Sequence, residues 1–530
     1  MIFLNIISLV GIFGLCAITW IFSENRNPKY FPWRVVVMGI LLQLGLGALV
    51  FITPGTRDVL QVFSNLLNGV FDAADSGARF VFGRNLVPVP GQDPFILSPL
   101  APGGTCTPDS AGEIISGFCG IRLGYIFAFR ALPAVIFFSG LMALLYNLGI
   151  IQIITNLFAK VFYNVMRLSG AESLSGAANI FVGIEAAIAV KPFLAKMTRS
   201  ELCAILACCF GTAASSTLAI YVSFLKPVFP NILGHLVSAS IMAIPACFVL
   251  SKILVPETEV PLTAGGIPSE RELLEDSKDS DDGVPKETAA GEPIVRVSPM
   301  DASILGALDG VKMAVAIAAV LILILGLVYL VNQFFGWLAA LPNPIGGWFQ
   351  IITLQNILGA LFLPLTALTG VSLNWEELWQ SSVIIGRRLF ETAIPAYQSL
   401  AAAASLPSSE RVISDRAVLI ISYALSGFAH LASVGIFVGG TAALVPSRRK
   451  DITELGWKAL FIGTLATYMI ACVAGVFDGL FGVETPSILG APTSSPTSSP
   501  TPTSPSPAVS PSPAQTAPAI PAPASPSSSI

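Results

Sequence analysis

Glu172, Asn179 and Glu185 stand inside Gly170–Glu201, a run of small and apolar residues that otherwise looks like membrane helix. A carboxylate at bilayer depth is costly unless it faces protein, water or a bound ion. Broken helix at that depth persists only where it lines a cavity or is enclosed by protein. Gly170, Gly176 and Gly183 loosen the run, and Lys191-Pro192 stops it. The stretch reads as a re-entrant hairpin whose tip, near Asn179 to Glu185, meets a solute. The bland alternative for Glu185 is a paired or protonated carboxyl inside a helix bundle.

A re-entrant hairpin needs a bilayer, and the composition implies one: 530 residues are 54% hydrophobic and 11% charged, with mean hydropathy +0.76. A net charge of −4 without a basic run speaks against a nucleic-acid partner. Apolar windows of about 20 residues predict membrane spans at 2–22, 35–52, 125–150, 202–225, 233–255, 310–331, 417–444 and 457–481. Arg26, Lys29 and Arg34 follow the first span in a short loop, so that loop is expected in the cytoplasm and both termini outside. Residues 57–82 and 153–168 are amphipathic and suit the interface. Pro133 predicts a kink in the third span. Residues 85–121 form an irregular outer loop whose Cys106 and Cys119 are either a disulfide or two free thiols. Residues 256–298 are acidic and polar, a cytoplasmic linker, and 486–530 are a Pro/Ser/Thr/Ala tail, either a plain tail or an extended spacer.

The core of the fourth span, Phe210 to Thr217, is small and hydroxyl-rich. It is either a close helix-packing surface or an unwound segment that coordinates a cation through Thr212 and backbone carbonyls. The pattern then recurs. Residues 349–370 precede a second hairpin at 376–400 with Arg387, Arg388, Glu391 and Pro395 in its middle, and the seventh span breaks at Ser426 to Ser433. Helix, hairpin, broken helix and helix thus occur twice, with the single sixth span inverting the second copy. Inverted repeats with discontinuous helices characterise secondary transporters. The expected fold is an all-α polytopic membrane protein with about eight transmembrane helices, two re-entrant hairpins and interfacial amphipathic helices. The expected divisions are 1–150 scaffold helices with an outer loop, 151–255 the first transport repeat (hairpin 170–196), 256–303 linker, 304–348 scaffold helix, 349–485 the second transport repeat (hairpin 376–400) and 486–530 tail.

Glu172-Ser173-Leu174, Ala178, Asn179, Phe181 and Gly183 fit the ESL…A.N.F.G pattern of concentrative, cation-coupled nucleoside transporters, and the chain resembles a divergent member of that family up to about Thr485. The resemblance implies a sodium site built from the Asn179 side chain, the Val182 backbone, Thr212 at a family Ser, and the Ala213 backbone. It implies a solute site at Gly183, Glu185, Phe428, His430 and Ser433. There are departures. Gly183-Ile184-Glu185 is one residue shorter than the family's Gly-Gln-Thr-Glu and lacks its Gln and Thr. Ala393 fills the family's second Glu position, with Glu391 two residues earlier, where it either reaches the site or pairs with Arg387 or Arg388. His430 replaces a ribose-gripping Asn, with one donor and one acceptor of its own.

The function expected is a symporter importing a nucleoside or related small polar solute, coupled to Na+ or H+ by alternating access, with no other cofactor. The alternatives are a transporter for a non-nucleoside solute or a non-transporting sensor with a transporter fold. No HExxH, GxSxG or paired-Asp motif points to an enzyme. The resemblance further implies a homotrimer in the plasma (inner) membrane.

Overall fold

Polar and small residues of the first helix, α1 (Ile2–Ile21), face inward together with Ile12 and Leu15, while most of its other large apolar residues face outward. Asn5, Ser8 and Gly11 are buried; Phe3, Ile6 and Phe13 are exposed. That is the pattern of a helix whose outer solvent is hydrocarbon, where close packing and hydrogen bonds hold helices together. The computed structural model describes residues 2–51, 72–83, 126–181, 190–213, 215–266, 298–342, 352–407 and 410–479, with isolated positions between them. These belong to one compact unit, Met1–Gly490; the second unit, Ala491–Ile530, lies outside the described residues.

After α1 come α2 (Trp33–Phe51), a helical stretch at 72–82, and a short antiparallel ribbon of β1 (Leu97–Pro99) and β2 (Cys119–Ile121). Then follow α3 (Phe127–Asn147), with Pro133 inside it, and amphipathic α4 (Ile150–Val161), which runs into a π-helical turn at Phe162–Met166. Next are α5 (Gly170–Ala178), α6 (Lys191–Leu194), α7 (Arg199–Gly211), α8 (Ser215–Leu225) and α9 (Ile232–Leu254). The second half holds α10 (Pro299–Ala339), α11 (Leu354–Leu368), α12 (Trp375–Glu391), α13 (Ala393–Ala404), α14 (Asp415–Leu425), α15 (Leu431–Leu444) and α16 (Arg449–Phe477).

Among the described residues, six helices are long and apolar enough to cross a membrane. Two further crossings, α7 with α8 and α14 with α15, are each made of two half-helices, which accounts for the expected eight. Burial separates centre from periphery: α9 is 83% buried across its spanning window and α10 only 20%. α10 is held to α3 by small residues. A Cβ on Gly306 would lie 2.8 Å from the Ser139 carbonyl oxygen, and one on Gly310 2.8 Å from Ile136 Cα. Such close approach is how helices associate without a hydrophobic driving force.

The two ends of the bundle have different chemistry. At one end Glu24 binds Arg199 and Lys458, Ser23 donates to the Ile253 carbonyl, and Arg448 donates to the carbonyls of Ala195 and Met197. We call this the basic face. At the other end Arg416 binds Asp478, Asn5 and the Gly370 carbonyl. α5 starts at the basic face, where the amides of Gly170 and Ala171 donate to the carbonyl and hydroxyl of Thr263 just beyond α9. α12 starts near the opposite face, after Gly370.

The expectation that Gly176 loosens the first hairpin is corrected. α5 runs through it unbroken, and its lack of a side chain admits Phe248, which a Cβ would meet at 2.4 Å. Cys106, the linker from 267 to 297 and the tail lie outside the described residues.

Candidate functional site

The first hairpin is built from its cap inward. Ser169 and Glu172 form a capping box at the start of α5, and Lys252 of α9 pairs with the Glu172 carboxylate. Glu172 is therefore a helix-cap group neutralised by a cation. α5 is buried along its whole length and ends at Asn179. The Asn179 amide nitrogen donates to the Ser175 carbonyl at 3.1 Å. Its side-chain oxygen is buried without a hydrogen-bond donor among the described residues. A buried acceptor left without a donor is destabilising by about 1–3 kcal/mol, and a bound cation removes that penalty. Gly183 takes part in a turn, its carbonyl accepting from the Ala186 amide at 3.1 Å. Val182 and Glu185 lie outside the described residues.

The first break follows α7. Thr212 is extended (φ −112°, ψ 167°), so the helix stops there instead of running on, and the unwound alternative read from Phe210 to Thr217 is the one observed. Both the amide and the hydroxyl of Thr212 donate to the Cys208 carbonyl, at 3.2 and 2.8 Å, leaving the hydroxyl lone pairs to accept. Thr212 and Ala213 are buried. Gly176 of α5 abuts Ile244 and Phe248 of α9, and Gly211 abuts Cys247 on the same turn. Asn179 and Thr212, just beyond those glycines, are thus held at one level of α9.

The second break spans Ser426 to His430, between α14 and α15, and crosses the first. The Phe428 amide donates to the Thr212 carbonyl at 3.2 Å. A Cβ on Gly427 would sit 2.7 Å from the Gly211 carbonyl oxygen, so only glycine lets the two strands approach. His430 caps α15: its Nδ1 accepts the Ser433 amide at 3.2 Å, and the Ser433 hydroxyl lies 3.0 Å from the ring. Accepting at Nδ1 places the imidazole proton on Nε2. Phe428 meets the His430 ring edge-on at 6.0 Å. The structure therefore brings Thr212, Ala213, Phe428, His430 and Ser433 together at one crossing.

Glu391 is placed differently. It is buried at the end of α12, but Arg387 holds one carboxylate oxygen at 2.7 Å and Gln355 the other at 2.9 Å. Of the two readings open for it, ion pairing is the one observed. The turn of the second hairpin is Thr392, with φ +70°. Two residues here do more than the sequence assigned to them. Arg388, 1% exposed, donates to the Ala424 carbonyl at the C-terminal end of α14 and to Thr467 at 3.0 Å. A cation there complements the half-helix dipole. Tyr397 stacks on Tyr221 at 4.5 Å and donates to the Ser422 carbonyl, tying α13 to α8 and α14. Both arginines lie within one turn of Glu391, so the sequence alone did not say which of them would leave it for the α14 terminus.

Comparison with known proteins gives a consistent result. The chain matches the family described as Na+ dependent nucleoside transporter over residues 10–85 (N-terminus) and 235–475 (C-terminus). Residues 128–228 match a family described as nucleoside recognition. It is 32% identical over 476 residues to an uncharacterized transporter of Haemophilus influenzae, covering 89% of this chain and 98% of that protein. It is 31% identical over 485 residues to the nucleoside permease NupC of Helicobacter pylori, covering 91% and 99%. Among solved structures, CNTnw in an inward-facing substrate-bound state superposes with a TM-score of 0.72 at 33% identity, covering 90% of this chain and 99% of that one.

Proposed function

The chain belongs to the Na+-dependent nucleoside transporter family, and on that premise we infer that it is a secondary active symporter importing nucleosides by alternating access. It is a multi-pass membrane protein and not an enzyme. The observation that carries the reading is the crossing of the two helix breaks. Two unwound backbones joined by the Phe428–Thr212 hydrogen bond lie between hairpins that enter from opposite faces. Discontinuous helices at depth are where such proteins bind solute and ion.

Sodium is assigned to the Asn179 side-chain oxygen, the Thr212 hydroxyl and the backbones of Val182 and Ala213. The buried, donor-free Asn179 oxygen supports this. Neutral oxygens suit a hard monovalent cation. The nucleoside is assigned to Gly183, Glu185, Phe428, His430 and Ser433. Here Nε2–H of His430, 3.0 Å from the Ser433 hydroxyl, turns from that hydroxyl to donate where an amide would, and the Phe428 ring offers a stacking face. Glu391 joins this set only by leaving its pairing with Arg387 and Gln355. His430 as N-cap favours sodium over proton coupling: a protonated ring would lose its acceptor and face the positive end of α15.

The remaining assignments follow from the same architecture. α4 to α9 and α11 to α16 form two inverted transport repeats, and α1 to α3 with α10 form the scaffold. The largely exposed α10, held chiefly by α3 among the described residues, supports a homotrimer contact on that side. The basic face lies in the cytoplasm, which puts both termini outside.

The test is uptake of labelled uridine and adenosine into proteoliposomes with and without an inward sodium gradient. Sodium-driven accumulation is expected, lost in Asn179→Ala and Glu185→Gln. Binding without accumulation by well-folded protein would make it a sensor instead, and an acid-driven, sodium-independent uptake lost in His430→Asn would reassign the coupling ion.

A further inference from the structure

Beside the start of the first hairpin, on the basic face, lie two adjoining clefts of about 480 and 360 Å³. Arg34 and Arg167 line the first; Arg167 also lines the second, with Lys29 and Tyr30. None of these three cations has a carboxylate partner among the described residues, whereas Arg199, Lys252 and Arg448 on the same face do. Glu172 and Glu257 border the second cleft, but Lys252 engages both.

Arg167 carries a second signal. It has φ +56°, in the left-handed region that favours glycine, and it closes the π-helical turn. A helix end of this kind is ordinarily Gly or Asn, so a guanidinium is kept there against backbone preference. The bilayer surface can also be located. α4 exposes Ile150, Ile153 and Leu157 on one side, so it lies in the interface plane and ends at the cleft. Tyr30 and Trp33, both exposed, flank the cleft as interfacial aromatics do.

We propose that Arg34 and Arg167 form a binding site for the phosphate headgroup of an anionic phospholipid, with Lys29 adding charge at its edge. Basic pockets between membrane helices hold such headgroups. Ser169, the cap of the first hairpin, is two residues from Arg167, so the bound lipid sits against the start of that hairpin. This site is separate from the solute and ion crossing, and its test does not depend on what the protein transports.

The full-length protein in detergent is titrated with phosphatidylglycerol or phosphatidylcholine, and bound lipid is counted by native mass spectrometry. Thermal unfolding is followed in parallel. Wild type should retain phosphatidylglycerol preferentially, with a higher melting temperature in its presence. Arg34→Gln and Arg167→Gly should each weaken that preference about fivefold. Arg167→Gly is the sharper variant: it relieves the backbone, so melting in phosphatidylcholine should hold or rise while the phosphatidylglycerol increment disappears. An unchanged lipid preference in both variants would overturn the proposal. So would inorganic phosphate displacing the lipid at equal concentration, which would make the site one for a free anion.

Discussion

Gly427 shows how much of the site depends on a missing atom. A Cβ there meets the carbonyl oxygens of Gly211 and Phe210 at 2.7 and 2.8 Å and Thr467 at 2.7 Å. Backbone cannot yield as a flexible side chain can, so Gly427→Ala should destabilise by about 1–3 kcal/mol and abolish uptake. Gly435→Ala is the control: nothing lies within 4 Å of its Cβ and it sits in helix, so it should be neutral or mildly stabilising in the same melting experiment. Lys252→Met should be severe. It strands Glu172 in a buried site, a loss of about 3–5 kcal/mol, and adding Glu172→Gln, which keeps the cap, should recover most of it. These single residues were unevenly legible. Asn179 and Thr212 stand out in sequence because polar atoms in small-residue runs at bilayer depth need a reason. The Lys252 partner of Glu172 does not stand out, because the two are distant in sequence and only the packing of α9 on α5 joins them.

At the scale of elements, both breaks were legible and the hairpin turns less so. Small, hydroxyl-bearing runs at Phe210 to Thr217 and Ser426 to Ser433 lose little by leaving the helix and gain carbonyls free to bind. The turn between α12 and α13 falls on Thr392, a β-branched residue with φ +70°, and nothing in the sequence favours it there over its neighbours. With ψ 174° beside that φ, a non-glycine residue is strained by about 1–3 kcal/mol. Thr392→Gly should therefore raise the melting temperature of the detergent-solubilised protein; a fall would mean that the Thr392 side chain holds the turn. The fates of Arg387 and Arg388 are similar in kind. Composition shows two arginines in a membrane hairpin. Only helix phase sends one to Glu391 and the other to the α14 terminus.

The whole molecule is tied at its basic face by Glu24, which joins the loop after α1 to Arg199 of α7 and Lys458 of α16. Partial burial pushes the Glu24 carboxyl up, but hydrogen bonds and charge from Arg199 and Lys458 outweigh it and hold it below the usual carboxylate value. A carboxyl depressed on folding contributes stability above its unfolded value and loses it as pH falls through the folded one. Glu24→Gln should thus lower the melting temperature at neutral pH, with the gap to wild type closing as acid titrates the native carboxyl. A gap constant with pH would mean the tie is not ionic. The fold at this scale was legible as eight crossings and two hairpins, because bilayer thickness dictates span length. Which helices form the buried centre was not, since lipid-facing and protein-facing residues in a membrane are alike in hydrophobicity.

The hydrogen bond from Phe428 to the Thr212 carbonyl bears on leakage. Were the two unwound segments independent, each could shift with its own cargo, and sodium could slip inward alone. Joined amide to carbonyl, and wedged so closely that Gly427 tolerates no side chain, they form one moving part. On the proposed site assignment, an empty nucleoside seat would disturb the ion's seat as well, and the fidelity of coupled import becomes a property of the backbone rather than of any side chain that touches either cargo.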